Sequence, residues 1–206
     1  LLMEYGVVIE RSKEALLKAL PEVLEKEEAT PVIRKLVRSF LEDFKLLEQR
    51  IDETDKEIEA LGKSIPACVQ LDEIPGIGML TATAFYSALA HMDFKNGRQC
   101  AAYIGLVPRH SNSGEKEQNG KITKTGNKYL RQLFVHGGRS VLRSASKGAE
   151  TPYKTWVKKV KDKGYCKAAV AVANKNTRIA WNVMKKGIPF SSDLPRQGVN
   201  KGLASL

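Results

Sequence analysis

The sequence predicts a mainly α-helical chain, in which a long coiled-coil helix is followed by a second helical domain containing a helix-hairpin-helix. Three observations carry this. Apolar residues alternate four and three apart from Ile33 to Leu61, and elsewhere they recur at helical spacing between Gly and Pro breaks. Strand-like alternation is nearly absent, a brief hairpin near Gln118 to Ile122 being the one exception the pattern admits. Charge divides the chain in the same place, with 11 Lys/Arg against 15 Asp/Glu in residues 1–64 (net −4) and 23 against 8 in the remainder (net +15).

The elements follow in order. From Ser12 to about Lys26, Ala15, Leu16, Ala19, Leu20 and Val23 share one side of a helix that Ser12 can cap. The next helix, Thr30 to Leu61, carries the seam Ile33, Val37, Phe40, Phe44, Leu47, Ile51, Ile58 and Leu61, with Thr54 filling the gap. Such a heptad seam requires a partner helix. A self-paired antiparallel hairpin and an intermolecular coiled coil both satisfy it, so residues 1–64 read as a helical spacer and oligomerisation element.

Residues 66–90 read as two short helices broken by Pro75, Gly76, Ile77 and Gly78. Gly76 and Gly78 lack the side-chain bulk that would hold a phosphate away, and amides at the start of the second helix carry partial positive charge. The pattern resembles a helix-hairpin-helix gripping nucleic-acid backbone; the alternative is a glycine turn that lets two helices pack closely. Met79, Phe85, Tyr86 and Leu89 are expected in the core.

A short helix closing at Gly105 and Pro108 comes next, then a polar loop from Arg109 to Lys121, expected to be the longest unstructured stretch of the basic part. A helix from Thr125 to about Ala145 follows, weakened midway by Gly137 and Gly138, and carries a basic stripe of Lys128, Arg131, Arg139 and Arg143. Helices at Pro152–Lys163 and Lys167–Lys186 bring Trp156 and Trp181 as core anchors. Residues 65–187 thus read as the second domain and 188–206 as a disordered tail.

A formal charge of +11 favours polyanions, either nucleic acid or an acidic membrane surface. No apolar run can span a bilayer and no export signal is visible, so the expected location is cytoplasmic, with Cys68, Cys100 and Cys166 reduced and buried. The chain opens at Leu1 with Met3 already inside an apolar stretch, as a piece of a longer protein would. The acidic residues of the basic part are scattered and the histidines show no HExxH spacing, so no metal site is expected. Ser111 and Ser113 lie in the polar loop with Arg109, His110, Lys116, Lys121 and Lys124 nearby. Serine attack on a phosphodiester needs fixed positive charge where the phosphorane oxygens gather negative charge, which these cations can supply; a merely solvated loop is the alternative.

The runs LDEIPGIGMLTATAFYSAL and FKNGRQCAAYIGLVPRHSNSGEKEQNGKITKTGNKYLRQLFVHGGRSVL resemble the C-terminal domain of DEDD-type insertion-sequence transposases related to the Piv DNA invertase, and the likeness covers about residues 1–187. It implies a DNA transposase or site-specific recombinase that exchanges strands through a covalent phosphoserine and acts as a homo-oligomer on DNA, with a guide RNA as a further partner in some members. It also implies an N-terminal RNase H-like domain whose four acidic residues bind Mg²⁺, to which nothing in this sequence corresponds. Carried over, the serine before glycine in P-R-x-x-x-S-G is Ser113, the expected nucleophile. The loop reads RHSNSG where relatives have RQHSSG, which displaces His110 by one position, puts Asn112 in place of a serine and leaves Ser111 as the alternative. The expected DNA-binding residues are Gly76, Gly78, Arg109, Lys116, Lys121, Lys124, Lys128, Arg131 and Arg139. A non-catalytic DNA-binding module, a decayed remnant and a structural assembly protein are the competing readings.

Overall fold

The computed structural model describes residue 10 and residues 12–25, 29–113 and 116–192, with backbone alone between 110 and 119. The described chain is mainly helical and divides into two compact units, residues 1–57 and 58–206. The long second helix runs through the division.

In the first unit, Ser12 Oγ accepts from the Ala15 amide at 3.1 Å and so caps α1 (Lys13–Glu25). Thr30 Oγ1 accepts from the Ile33 amide at 3.4 Å at the start of α2 (Pro31–Ser64), whose first position is a proline. α1 folds back antiparallel on α2. Leu20 and Val23 bury against Ile33 and Val37, with Leu16, Leu24 and Leu41 at the margin, and Lys13 pairs with Glu48 seventeen residues along α2 from Pro31. The self-paired hairpin is therefore present. It uses a line that steps by four, Ile33–Val37–Leu41, and such a line drifts off a seam that steps by four and three. The seam positions Phe40, Leu47, Ile51 and Leu61 are left between 45% and 60% exposed.

The second unit holds α3 (Pro66–Asp72), α4 (Met79–Leu89), α5 (Gly97–Tyr103), β1 (Pro108–Ser113), β2 (Lys116–Ile122), α6 (Lys128–Ser144), α7 (Pro152–Lys161) and α8 (Tyr165–Lys186). One apolar cluster gathers Cys68, Leu71, Phe85, Leu89, Cys100, Ile104, Leu130, Phe134 and Trp181, with Phe85 edge-on to Phe134 at 5.4 Å. A second joins Val141, Leu142 and Ala145 of α6 to Tyr153 and Val157 of α7 and to Ala168, Ala169 and Val172 of α8. α6 and α8 come close because small residues face each other: a Cβ on Gly138 would overlap the Ala169 carbonyl oxygen. Between the clusters the Asn176 side chain, 1% exposed, donates to the Pro75 carbonyl at 2.7 Å and accepts from the Tyr153 hydroxyl at 2.7 Å. Burial pushes the Tyr153 hydroxyl well above its ordinary pKa, against the opposing pull of Asn176.

Gly137 and Gly138, the expected weak point of α6, are contact surfaces of an unbroken helix. Several expectations are corrected. The polar stretch is not an unstructured loop: Pro108–Ser113 pairs antiparallel with Lys116–Ile122, a ladder that includes the Gln118 to Ile122 stretch where a brief hairpin was expected. Cys68 and Cys100 are buried, and burial pushes the Cys100 thiol up to about 12, but Cys166 is exposed. Trp181 is a core anchor, whereas Trp156 is only partly buried, with Lys175 Nζ 3.9 Å from its ring centroid. In the expected tail, Phe190 packs edge-on to Tyr153 at 5.9 Å, and residues 193–206 lie outside the described residues.

Candidate nucleic-acid site at the root of the hairpin

The root of the β-hairpin is built by closing one helix and opening another at the same point. Asn96 caps α5, accepting from the amides of Arg98 and Gln99. α5 ends when Gly105 turns left-handed at φ +78°, its amide donating to Ala102 and that of Leu106 to Ala101, the paired bonds of a Schellman stop. The chain then leaves as β1 and returns as β2, paired from Pro108↔Ile122 to Ser113↔Lys116 with a bulge between Pro108 and His110. Below the ladder, Thr123 donates to Val107 at 2.9 Å and Lys124 to Gly105 at 3.2 Å. Asn127 then caps α6 by accepting from the Leu130 amide at 3.0 Å.

Tertiary contacts lock this root. A Cβ on Gly126 (φ +73°) would overlap the Tyr103 carbonyl oxygen, and one on Gly105 would overlap that of Thr125, so the two turns touch backbone to backbone. Arg131 Nη1 donates to the carbonyls of Ile104 and Thr125, both at 2.9 Å, tying the end of α5 to the start of α6. Asn174 of α8 donates to Leu106 at 3.1 Å, and Arg109 Nη2 donates to Thr123 at 3.3 Å. The hairpin therefore projects from a fixed base.

The expected site residues divide. Lys121, Lys124 and Lys128 are exposed around the root, as is Arg109. Ser111 and Ser113 occupy β1, and Lys116 faces Ser113 across the ladder; their side chains lie outside the described residues. Arg131 is half-buried, and the two carbonyl contacts of its Nη1 make it a strut of the root. Arg139 is half-buried on α6, while Arg143 is exposed. Gly76, at φ +83°, presses on α6, where an added Cβ would meet the Gly137 carbonyl oxygen at 2.6 Å, a contact that fits the close-packing alternative. Gly78 is open, with nothing within 4 Å of an added Cβ, and begins α4 without a side-chain cap.

Gly105 and Gly126 are the glycines that bracket the polar stretch in the sequence, whereas Asn174, 68 residues from the Leu106 carbonyl it meets, left no local signal. Among the described residues no three His, Cys, Asp or Glu converge, so these residues do not fit a Mg²⁺ ion of the kind the resemblance implies. No helix among them is long and apolar enough to cross a membrane.

Residues 68–154, which contain the hairpin, its root and the Gly76–Gly137 contact, match a transposase domain described as the IS116/IS110/IS902 family. The chain is 34% identical over 190 residues to the transposase for insertion sequence element IS1111A of Coxiella burnetii, covering 90% of this chain and 52% of that protein. It is 32% identical over 191 residues to a probable family 20 transposase of Pseudomonas aeruginosa, covering 90% and 56%. Over 124 residues it is 30% identical to the pilin gene-inverting protein of Moraxella bovis, covering 58% and 37%. The chain spans about half the length of these two transposases.

Proposed function

We propose that the second unit is the DNA-handling element of a transposase, and that Ser113 is the nucleophile it contributes to strand exchange. The observation that carries this reading is the locked root: within the segment that matches a transposase domain, Gly105, Gly126 and Arg131 hold the base of a hairpin whose first strand contains Ser111 and Ser113. A nucleophile needs a fixed approach to the phosphorus, and a hairpin on a rigid base supplies one.

In this reading, Ser113 Oγ loses its proton to a base and bonds to the scissile phosphorus while one phosphorus–oxygen bond to the sugar breaks. The departing sugar oxygen takes up a proton as it leaves; later the hydroxyl of another strand end gives up its proton and bonds to the phosphorus while the phosphorus–serine bond breaks and Ser113 Oγ regains a proton. Lys116, paired with Ser113 across the ladder, would supply positive charge as the phosphorane forms, while Arg109, Lys121 and Lys124 at the other end of the ladder would hold flanking phosphates. Mg²⁺ bound by an acidic domain of the whole protein would complete the chemistry, and no step here is routed through it. DNA is the partner, and a guide RNA is a further polyanion the same lysines would accept. The open seam at Phe40, Leu47, Ile51 and Leu61 is the surface on which a second copy would pair, giving a homo-oligomer.

The test is covalent capture of DNA by the assembled recombinase. Ser113→Ala should abolish the protein–DNA adduct, and the 206-residue chain alone should bind DNA in a salt-sensitive way without exchanging strands. Adduct at the unsubstituted level would move the nucleophile elsewhere, with Ser111 next. A purely non-catalytic module would bind with the same salt dependence and form no adduct in any assembly.

A further inference from the structure

Among the described residues, Lys124 is the one non-glycine with a positive φ, +57°. Lysine has no side-chain route to ease that conformation, unlike Asn or Asp, and such strain persists only where its surroundings over-determine it. Here the surroundings are the root itself, since the Lys124 amide is tied to the Gly105 carbonyl and Gly126 is pressed on Tyr103 two residues later. The Lys124 side chain is exposed.

Five residues on, Tyr129 stands 52% exposed in the first turn of α6. The other half-exposed tyrosine of the root, Tyr103, is already packed on Phe94 at 5.3 Å. Tyr129 has no ring partner and no hydroxyl hydrogen bond among the described residues. Side chains on a helix lean towards its N-terminus, and for Tyr129 and the exposed Lys128 that is the end of α6 that follows Lys124 and the root. The local charge is unopposed along the chain, because no Asp or Glu occurs from Gln118 to Ala149. An exposed ring among unneutralised cations is the arrangement that binds an unstacked nucleotide: the ring takes the face of any base and the ammonium groups take the flanking phosphates.

We propose that Tyr129, with Lys124 and Lys128, forms a subsite for an unpaired nucleotide beside the hairpin. It rests on the strand-exchange reading only for its purpose, which is to hold a nucleotide that has left its duplex; its binding chemistry stands apart from Ser113.

The experiment titrates the 206-residue chain, at one fixed salt concentration, with a fluorescent DNA duplex containing a short unpaired stretch and with the same duplex fully paired. The unsubstituted chain should prefer the interrupted duplex. Tyr129→Ala should weaken binding to it by about tenfold and to the paired duplex by less than about twofold, while Tyr129→Phe keeps both affinities. Lys124→Gly should raise the melting temperature by relaxing the backbone and yet weaken both complexes, and Lys124→Arg should keep the affinity. No preference for the interrupted duplex, equal effects of Tyr129→Ala on both DNAs, or a stabilised Lys124→Gly with full affinity would each overturn the proposal. These readouts are non-covalent affinities, whereas the Ser113 reading fails or stands on adduct formation, so the two failures are distinguishable.

Discussion

Gly126 and Gly76 each hold a left-handed backbone against a carbonyl oxygen from a distant segment, but they serve opposite ends. At Gly76 the turn between α3 and α4 is closed inward: Gly137 of α6 abuts it, Asn176 of α8 bonds its neighbour Pro75, and the glycine is used to let helices approach. At Gly126 the same backbone contact fastens the base of a hairpin that runs outward from Pro108 to Ile122, with exposed Lys121 and Lys124 on its returning side. Glycine in a basic domain is thus weak evidence for phosphate binding. What decides is whether the backbone it bares meets protein or solvent.

The largest expected effect lies at the outward joint. Gly126→Ala combines a left-handed residue with backbone overlap and should cost about 2–5 kcal/mol in a urea melt; a loss under about 1 kcal/mol would mean the root is not clamped as described. Gly137→Ala breaks the inward joint through overlap with the Gly76 carbonyl oxygen alone and should cost about 1–3 kcal/mol, even though alanine favours a helix interior by about 1 kcal/mol over glycine. Arg131→Gln removes the strut but leaves both glycines, so roughly 1–2 kcal/mol should be lost, seen as faster native-state hydrogen exchange at the Lys124 and Thr123 amides. Exchange rising equally at Ile77, beside the other joint, would deny the two joints their separateness. Gly78→Ala, two residues from Gly76 but in open space at φ −98°, should change stability by less than about 1 kcal/mol.

Helices were readable because their apolar positions recur and their caps are written in the sequence; Ser12 caps α1 as its place before the apolar run implies. The hairpin was legible only in part, as a brief one near Gln118 to Ile122, since β1 and β2 read PRHSNS and KEQNGKI, polar at nearly every position, and such strands leave little period of two. The structural contacts of Arg131 were hidden for a related reason. A guanidinium offers the same donors to two carbonyls as to a phosphate, and the Ile104 carbonyl it meets lies 27 residues away, beyond any local pattern. For Ser113 the strand is placed and its role rests on resemblance. The heptad seam was legible as a surface that needs covering, but the spacing could not say that α1 would take the neighbouring line through Ile33, Val37 and Leu41.

Asn176 joins two apolar clusters with one amide, its nitrogen held by the α3–α4 turn and its oxygen by the Tyr153 hydroxyl on α7. Opening either cluster alone would break one of the two hydrogen bonds of a side chain that is only 1% exposed, so the clusters are coupled through it. Loosening α7 should therefore also loosen the α3–α4 turn, whereas the hairpin root, which Asn176 does not touch, can open by itself.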